Sequence, residues 1–218
     1  MHAVVLQGQP RPIPVGKIVC VARNYAEHAR ELGNPVPDRA VLFIKPASSL
    51  LADGGTVIIP AYGSDCHHEI ELAVLIGRPG KAIAEAEALG HVAGYGVALD
   101  LTLRDVQADL KAKGLPWEIA KAFDTACPLS AFVPAERITD PQHLRLQLRV
   151  NGELRQDGTT AAMLRPVARL LSEASSYFTL EAGDILLTGT PAGVGPLRSG
   201  DRVEAVIEGV GRLSVNVR

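Results

Sequence analysis

Cysteine is scarce in this chain: Cys20, Cys66 and Cys127 are the three it has in 218 residues. An odd, scattered trio with no C-x-x-C pair cannot form a disulfide framework and fits a reducing compartment. A basic excess is missing as well. Against 24 Asp and Glu there are 22 Lys and Arg, giving a formal net charge of -2 and a pI near 6.3, and no basic cluster is paired with aromatic residues. Nucleic acid is therefore excluded as a partner. No apolar stretch approaches membrane-spanning length, and Met1-His2-Ala3-Val4-Val5-Leu6 has neither the charged start nor the long apolar core of a secretory leader. The expected location is the cytoplasm, with no membrane contact.

The chain is 47% hydrophobic and 21% charged, the composition of an ordinary globular protein. Its length fits one domain with a real core, residues 1–218, of which 1–16 read as a short N-terminal lead-in. No repeat, linker or low-complexity tract interrupts it. Short elements punctuated by 21 Gly and 15 Pro point to a β-rich α+β domain. The clearest strand has Leu144, Leu146, Leu148 and Val150 alternating with Arg145, Gln147 and Arg149, and Asn151-Gly152 closes it with the dipeptide favoured in type I′ hairpins. Further strands are expected over 184–187 and 202–207, each after a Gly-Asp pair, and over 213–217, which gives the tail the look of a barrel or roll. Helices are expected over 25–32, 82–89, 103–113 and 167–175. For the third, Thr102 and Asp105 match the start of a capping box, and Gly114 and Pro116 mark its end.

The chemistry concentrates in His67-His68-Glu69-Ile70-Glu71, followed by the apolar run 72–76. On a strand, Glu69 and Glu71 share one face and Ile70 takes the other. Two anions so close repel each other, and oxygen donors at the mouth of an apolar strand call for a hard cation, Mg2+ or Mn2+. A solvated edge strand is the plainer reading of alternating glutamates. A third carboxylate favours the metal: the apolar run 95–99 ends abruptly in Asp100, as a buried strand delivering a ligand to a sheet edge would. Zinc on Cys66, His67 and His68 is disfavoured, because adjacent strand residues point to opposite faces. Arg104 and Gln107 fall on the first turns of the helix after Asp100, near the proposed metal. Arg104 pairing with Asp105 or Asp109 on a solvated face is the plainer reading there.

Several ordered segments carry a likeness: Val21-Ala22-Arg23-Asn24-Tyr25 with His28 and Glu31; Phe43-Ile44-Lys45-Pro46; His68-Glu69-Ile70-Glu71; Asp100 with Arg104, Asp105 and Gln107; Lys121-Ala122-Phe123-Asp124; and the Gly-rich loop 189–195. In this order they resemble the fumarylacetoacetate hydrolase family, in its small single-domain members of acylpyruvase and oxaloacetate decarboxylase type. The resemblance covers about nine-tenths of the chain, from near residue 17 to the end. It implies a mixed β-roll with short flanking helices, a homodimer, and Mg2+ or Mn2+ on Glu69, Glu71 and Asp100.

The resemblance also implies a chemistry. A 2-oxo acid substrate would be cleaved beyond C3 to release a pyruvate enolate, whose charge a cation stabilises. Lys121 is implied as a second cation beside the enolate, an exposed lysine being the plainer reading. His28 and Glu31, three apart, share a helix face, so Glu31 can orient the imidazole as general base on a lid, although such a pair is more often a surface feature. The segment 33–37 after them reads as a flexible element consistent with a lid. The Gly-rich loop lacks the G-K-[ST] ending of a nucleotide loop, and its Thr190 and Gly189 are implied to hold a carboxylate, a tight turn being the simpler reading. Arg23, Lys45, Arg104 and Gln107 complete the implied pocket. The leading expectation is a Mg2+-dependent C–C hydrolase of acylpyruvates that also decarboxylates oxaloacetate. Isomerisation or tautomerisation of a 2-hydroxy-diene dioate or an oxaloacetate-type acid, and non-catalytic binding of a metal or small molecule, stand beside it.

Overall fold

The apolar run after Glu69 forms the strand Ile70–Ile76, buried along its whole length. Burial on both faces is why its sequence reads as continuously apolar rather than alternating. In the computed structural model, which describes residues 2–33 and 35–218, this strand lies at the centre of an eight-stranded mixed sheet. The order is Val41–Lys45, Ile18–Ala22, Ile185–Leu187, Ile70–Ile76, Val92–Leu99, Cys127–Leu129 and Leu50–Ala52, with Val133–Pro134 also pairing to Val92–Leu99.

Alternation along the central strand divides the core in two. Ile70, Leu72, Val74 and Ile76 point into a large cluster with Leu146, Leu148, Val203, Ala205, Leu213 and Val215 from a second, five-stranded sheet. Ala73 and Leu75 face the other way, into a smaller cluster with Ile18, Cys20, Phe132 and Leu187. Glu71 shares parity with this second face. The five-stranded sheet runs Glu153–Thr159, Arg145–Val150, Arg202–Ile207, Gly211–Val217 and Thr56–Val57. Its first hairpin turns at Asn151 and Gly152, with φ of 52° and 83°, the left-handed pair a type I′ turn requires. Together the sheets make a curled half-barrel with few short helices, the α+β roll expected from the sequence.

A third, three-stranded sheet sets the site. Thr102–Leu103, Cys66–His68 and Gly195–Leu197 pair side by side. Glu69 is thus the joint where the chain leaves this small sheet and enters the large one, and its carbonyl accepts from the Asp100 amide at 2.9 Å. The neighbouring strand ends at Leu99, opposite Ile70, so Asp100 emerges beside Glu69.

Two expectations need correction. Residues 82–89 do not form an α-helix: Ala82 sits at φ 51° and Ala84 is extended, and only a 3-10 segment, Glu85–His91, follows. The amides of Ala82 and Ile83 are instead engaged by Ser175 of the helix Val167–Tyr177. The capping box at Thr102 is absent as well. Thr102 lies in a strand, Leu103 is the N-cap of the helix Arg104–Ala112, and Asp105 accepts from the amide and hydroxyl of Ser64. The one-turn helix Glu118–Lys121 escaped the sequence reading because four residues carry no periodic signal. The expected flexible element 33–37 includes Asn34, which lies outside the described residues.

Leu72 is fully buried at the centre of the larger cluster. Leu72→Ala should lower unfolding free energy by about 2–5 kcal/mol in denaturant titration, and a loss under about 1 kcal/mol would contradict its place in a close-packed core.

Candidate active site

Glu69, Glu71 and Asp100 converge. Each offers an oxygen within 4.8 Å of the others, and all three are buried. The Gly189 amide donates to Glu71 Oε2 at 2.6 Å, and Thr102 Oγ1 donates to Glu69 Oε1 at 3.1 Å. Three side chains answer the negative charge. Arg104 pairs with Glu69 Oε1, and its Nη1 donates to Gln107 Oε1 at 3.0 Å. Lys121 Nζ bridges Glu69 Oε2 at 2.9 Å and Asp100 Oδ2 at 2.7 Å. Lys45 lies beneath, with Nζ 2.8 Å from Asp100 Oδ1.

The proton equilibria follow from this layout. Burial alone would raise the Glu69 pKa, but Arg104 and Lys121 outweigh it and hold the carboxyl below the ordinary range. Burial pulls the Lys121 ammonium down, yet Asp100 and Glu69 more than compensate, so it stays charged. Glu71 behaves oppositely. Burial, then the charges of Asp100 and Glu69, push its pKa well above the usual value. A carboxyl that prefers its proton beside two anions is short of positive charge.

A divalent cation fits that deficit. The donor set is all oxygen, which suits Mg2+ or Mn2+, and among the described residues Asp100 Oδ1 has no hydrogen-bond partner. Lys45 offers that oxygen charge at 2.8 Å but no hydrogen bond, because its three N–H groups go to the carbonyls of Leu101, Lys121 and Ala126. Lys45 therefore corrects the sequence expectation. It is fully buried, outside the cavity, and cannot touch substrate. Gly189 is a second correction, since its amide is committed to Glu71. At φ 92° and with an added Cβ only 2.8 Å from Asn24, the position needs glycine.

The carboxylates form the floor of a cavity of about 410 Å³ counted out to its mouth. His28, Arg23, Arg104, Gln107, Lys121 and Thr190 all line it. His28 sits on the helix Ala26–Glu31, where Glu31 Oε2 is 3.2 Å from its Nδ1, so Nε2 is the ring nitrogen left for the cavity. Glu31 itself does not line the cavity; its Oε1 accepts from the Gly193 amide at 3.0 Å, which ties this helix to the Gly-rich loop. Arg23 enters the cavity from φ 60°, a strained setting for a non-glycine residue. Asn24 holds that corner in place by bonding the main chain of Arg165 and Thr188.

Cavity residues unnoticed in the sequence are Lys111 and Trp117, whose ring lies 5.8 Å from the Lys111 ammonium. One full turn from Gln107, Lys111 could have been found by following the helix face. Cys66 is buried in the main core and His68 bonds Gln156, so neither is placed to bind zinc. The expected pairs of Arg104 with Asp105 or Asp109 do not form, and Asp109 pairs with Lys113.

A curled mixed sheet bearing a buried cluster of three carboxylates, with the imidazole of His28 lining the same cavity, is an arrangement that could hold a divalent cation. Residues 17–218 match the fumarylacetoacetate (FAA) hydrolase C-terminal family, and the chain belongs to that family. It is 52% identical over 204 residues to oxaloacetate tautomerase YcgM of Escherichia coli, covering 93% of each chain. With the mouse mitochondrial oxaloacetate tautomerase FAHD1 the identity is 51% over 201 residues, covering 92% of this chain and 91% of the relative. The crystal structure of fumarylpyruvate hydrolase from Pseudomonas aeruginosa, in complex with Mn2+ and pyruvate, superposes with a TM-score of 0.94 at 39% identity, covering 100% of this chain and 96% of that one.

With its raised pKa, Glu71 would have to release a proton to ligate a cation. Without a cation, the stability tied to Glu71 is full below its ordinary pKa and is lost as pH rises through the raised value; for Glu69, with a lowered pKa, it is lost as pH falls. The thermal shift produced by Mg2+ or Mn2+ should therefore grow with pH above the ordinary carboxylate range. In Glu71→Gln that slope should flatten, and an unchanged slope would remove Glu71 from the binding set.

Proposed function

We propose that this protein interconverts the keto and enol forms of a small dicarboxylic 2-oxo acid, oxaloacetate being the first candidate. The observation that carries this reading is a cluster of cations gathered over a carboxylate floor. Glu69, Glu71 and Asp100 form that floor, and the cations Arg23, Arg104, Lys111 and Lys121 line the same cavity. Burial lowers the Lys111 pKa, and Arg23, Arg104 and Lys121 lower it further, so the cations repel one another. A dianion relieves that repulsion. The tautomerase names of the relatives at about half identity support the same choice.

The metal-ligand assignment, Glu69, Glu71 and Asp100, belongs to this proposal, with Mg2+ and Mn2+ as candidates. When bound, such a cation supplies Lewis-acid stabilisation of developing enolate charge. Arg23, Arg104 and Gln107 orient the substrate carboxylates, Arg104 also fixing the Gln107 amide. Lys121 remains protonated and lends charge to the enolate oxygen rather than acting as a base. His28 takes the C3 proton through Nε2 and delivers it to the enolate oxygen as the enol forms, the reverse path restoring the keto acid, and Glu31 holds the Nδ1–H tautomer and stabilises the imidazolium. A homodimer in the cytoplasm is part of the reading, supported by the family resemblance and by three buried free cysteines.

Hydrolysis of an acylpyruvate is the second reading, favoured by the likeness to the Mn2+ and pyruvate complex of fumarylpyruvate hydrolase. The same imidazole would then deprotonate a water. Oxaloacetate decarboxylation needs no such proton transfer.

Following enol absorbance together with pyruvate and carbon dioxide separates these reactions. Tautomerisation predicts accelerated decay of the enol signal with neither product, whereas stoichiometric pyruvate from fumarylpyruvate or another acylpyruvate would move the assignment to hydrolysis. His28→Ala should slow turnover about 10²–10⁴-fold while leaving Mn2+ affinity intact, and a variant with full activity would dismiss the imidazole as the proton carrier. Chelation should abolish activity, with Mg2+ or Mn2+ restoring it.

A further inference from the structure

The strand Glu153–Thr159 is exposed along most of its length, but Gln156 is fully buried and Gly158 is half-buried. A bulge accounts for the burial of Gln156. Leu148 pairs with Gln156 but Arg149 pairs with Leu154, so Arg155 is the extra residue, and the inward parity shifts to Gln156. The strand is built to press against the Gly-rich loop. An added Cβ on Gly158 would come within 2.5 Å of the Pro191 side chain, and one on Gly193 within 2.3 Å of the Arg155 carbonyl oxygen.

The main chain fixes the orientation of the Gln156 amide at both ends. Oε1 is 3.1 Å from the Ile70 amide, which can only donate, and Nε2 is 2.9 Å from the Pro191 carbonyl, which can only accept. The two remaining bonds are then determined. His68 Nδ1 donates to Oε1 at 3.0 Å, and Nε2 donates to Thr190 Oγ1 at 2.8 Å. Thr190 lines the cavity, and among the described residues its hydroxyl hydrogen has no acceptor.

We propose that Gln156 is a positioning residue: by donating to Thr190 Oγ1 it leaves that hydroxyl only the role of donor toward the cavity, where it holds a substrate carboxylate oxygen. A threonine hydroxyl otherwise takes either role, and a carboxylate accepts only. His68 and Ile70 brace the amide from the strand that leads through Glu69, so the carboxylate centre and the donor are set by one segment. The inference rests on the 2-oxo acid reading above and adds the group that selects for an anionic end.

The test compares variants of the metal-loaded protein by steady-state kinetics and by calorimetric binding of pyruvate. In Gln156→Glu, measured at a pH where the new carboxyl is ionised, the side chain has no hydrogen to give and takes the Thr190 hydroxyl hydrogen for itself. KM and the pyruvate dissociation constant should rise about tenfold or more, with kcat changed far less and Mn2+ affinity unchanged. Thr190→Val should match that loss and Thr190→Ser should not, but in the Gln156→Glu background the serine and valine variants should be alike. Should the charged variant fail to fold, Gln156→Met removes the donor at similar volume and enters the same comparison. Losses that multiply, or a Gln156 variant with wild-type pyruvate binding, overturn the proposal. Pyruvate binding that depends on Gln156 in a protein without turnover would instead sink the assigned reaction and leave this inference standing.

Discussion

Repulsion among three buried carboxylates is the constraint on which this site is built. Glu69, Glu71 and Asp100 cannot share so small a volume as anions without compensation, and the chain supplies it from three directions. Lys45 comes from below, Lys121 from the side and Arg104 from the cavity wall. The compensation is uneven. Glu69 has two cations and is readily ionised, whereas Glu71 has one amide and prefers its proton. That asymmetry marks the position where further positive charge is accepted, and a hard divalent cation is the chemistry that fits.

The scaffold makes such crowding tolerable. A strand buried on both faces is rigid, and its ladder with Val92–Leu99 fixes Glu69 and Asp100 side by side through the main chain. The small three-stranded sheet then brings Gly195–Leu197 against Cys66–His68, so the Gly-rich loop is registered to the same segment. Glu31 closes the remaining side by accepting from the Gly193 amide. Floor, loop and the helix Ala26–Glu31 are therefore coupled through few hydrogen bonds.

Side-chain period and apolar runs were legible without coordinates. The abrupt end of an apolar run at Asp100 and the turn at Asn151-Gly152 follow from local geometry, whereas Glu69 and Glu71 do not share one strand as the sequence suggested: Glu69 meets Glu71 from the joint between two sheets. Where a side chain's role depends on its depth, the sequence misled. Lys45 reads as a pocket cation, yet a fully buried ammonium bonded to three carbonyls serves the fold and Asp100 instead. Gly189 reads as a carboxylate cradle, yet its amide belongs to Glu71. Residues 82–89 look helical by composition, and Ser175 from a distant helix captures their amides.

What the sequence alone determined is local: the family's ordered motifs, the candidate ligand trio and the direction each strand residue points, because these depend on periods of a few residues. Tertiary structure decided which charges face solvent, which face each other and which hydrogen bonds are already spent. Gln156 shows the division. Nothing in its neighbours distinguishes it from other polar residues on an exposed strand, and only a one-residue bulge and the packing of a distant loop turn it inward against Thr190. Long-range contacts, being absent from any short window of sequence, set that burial and with it the pKa values and donor roles of the site.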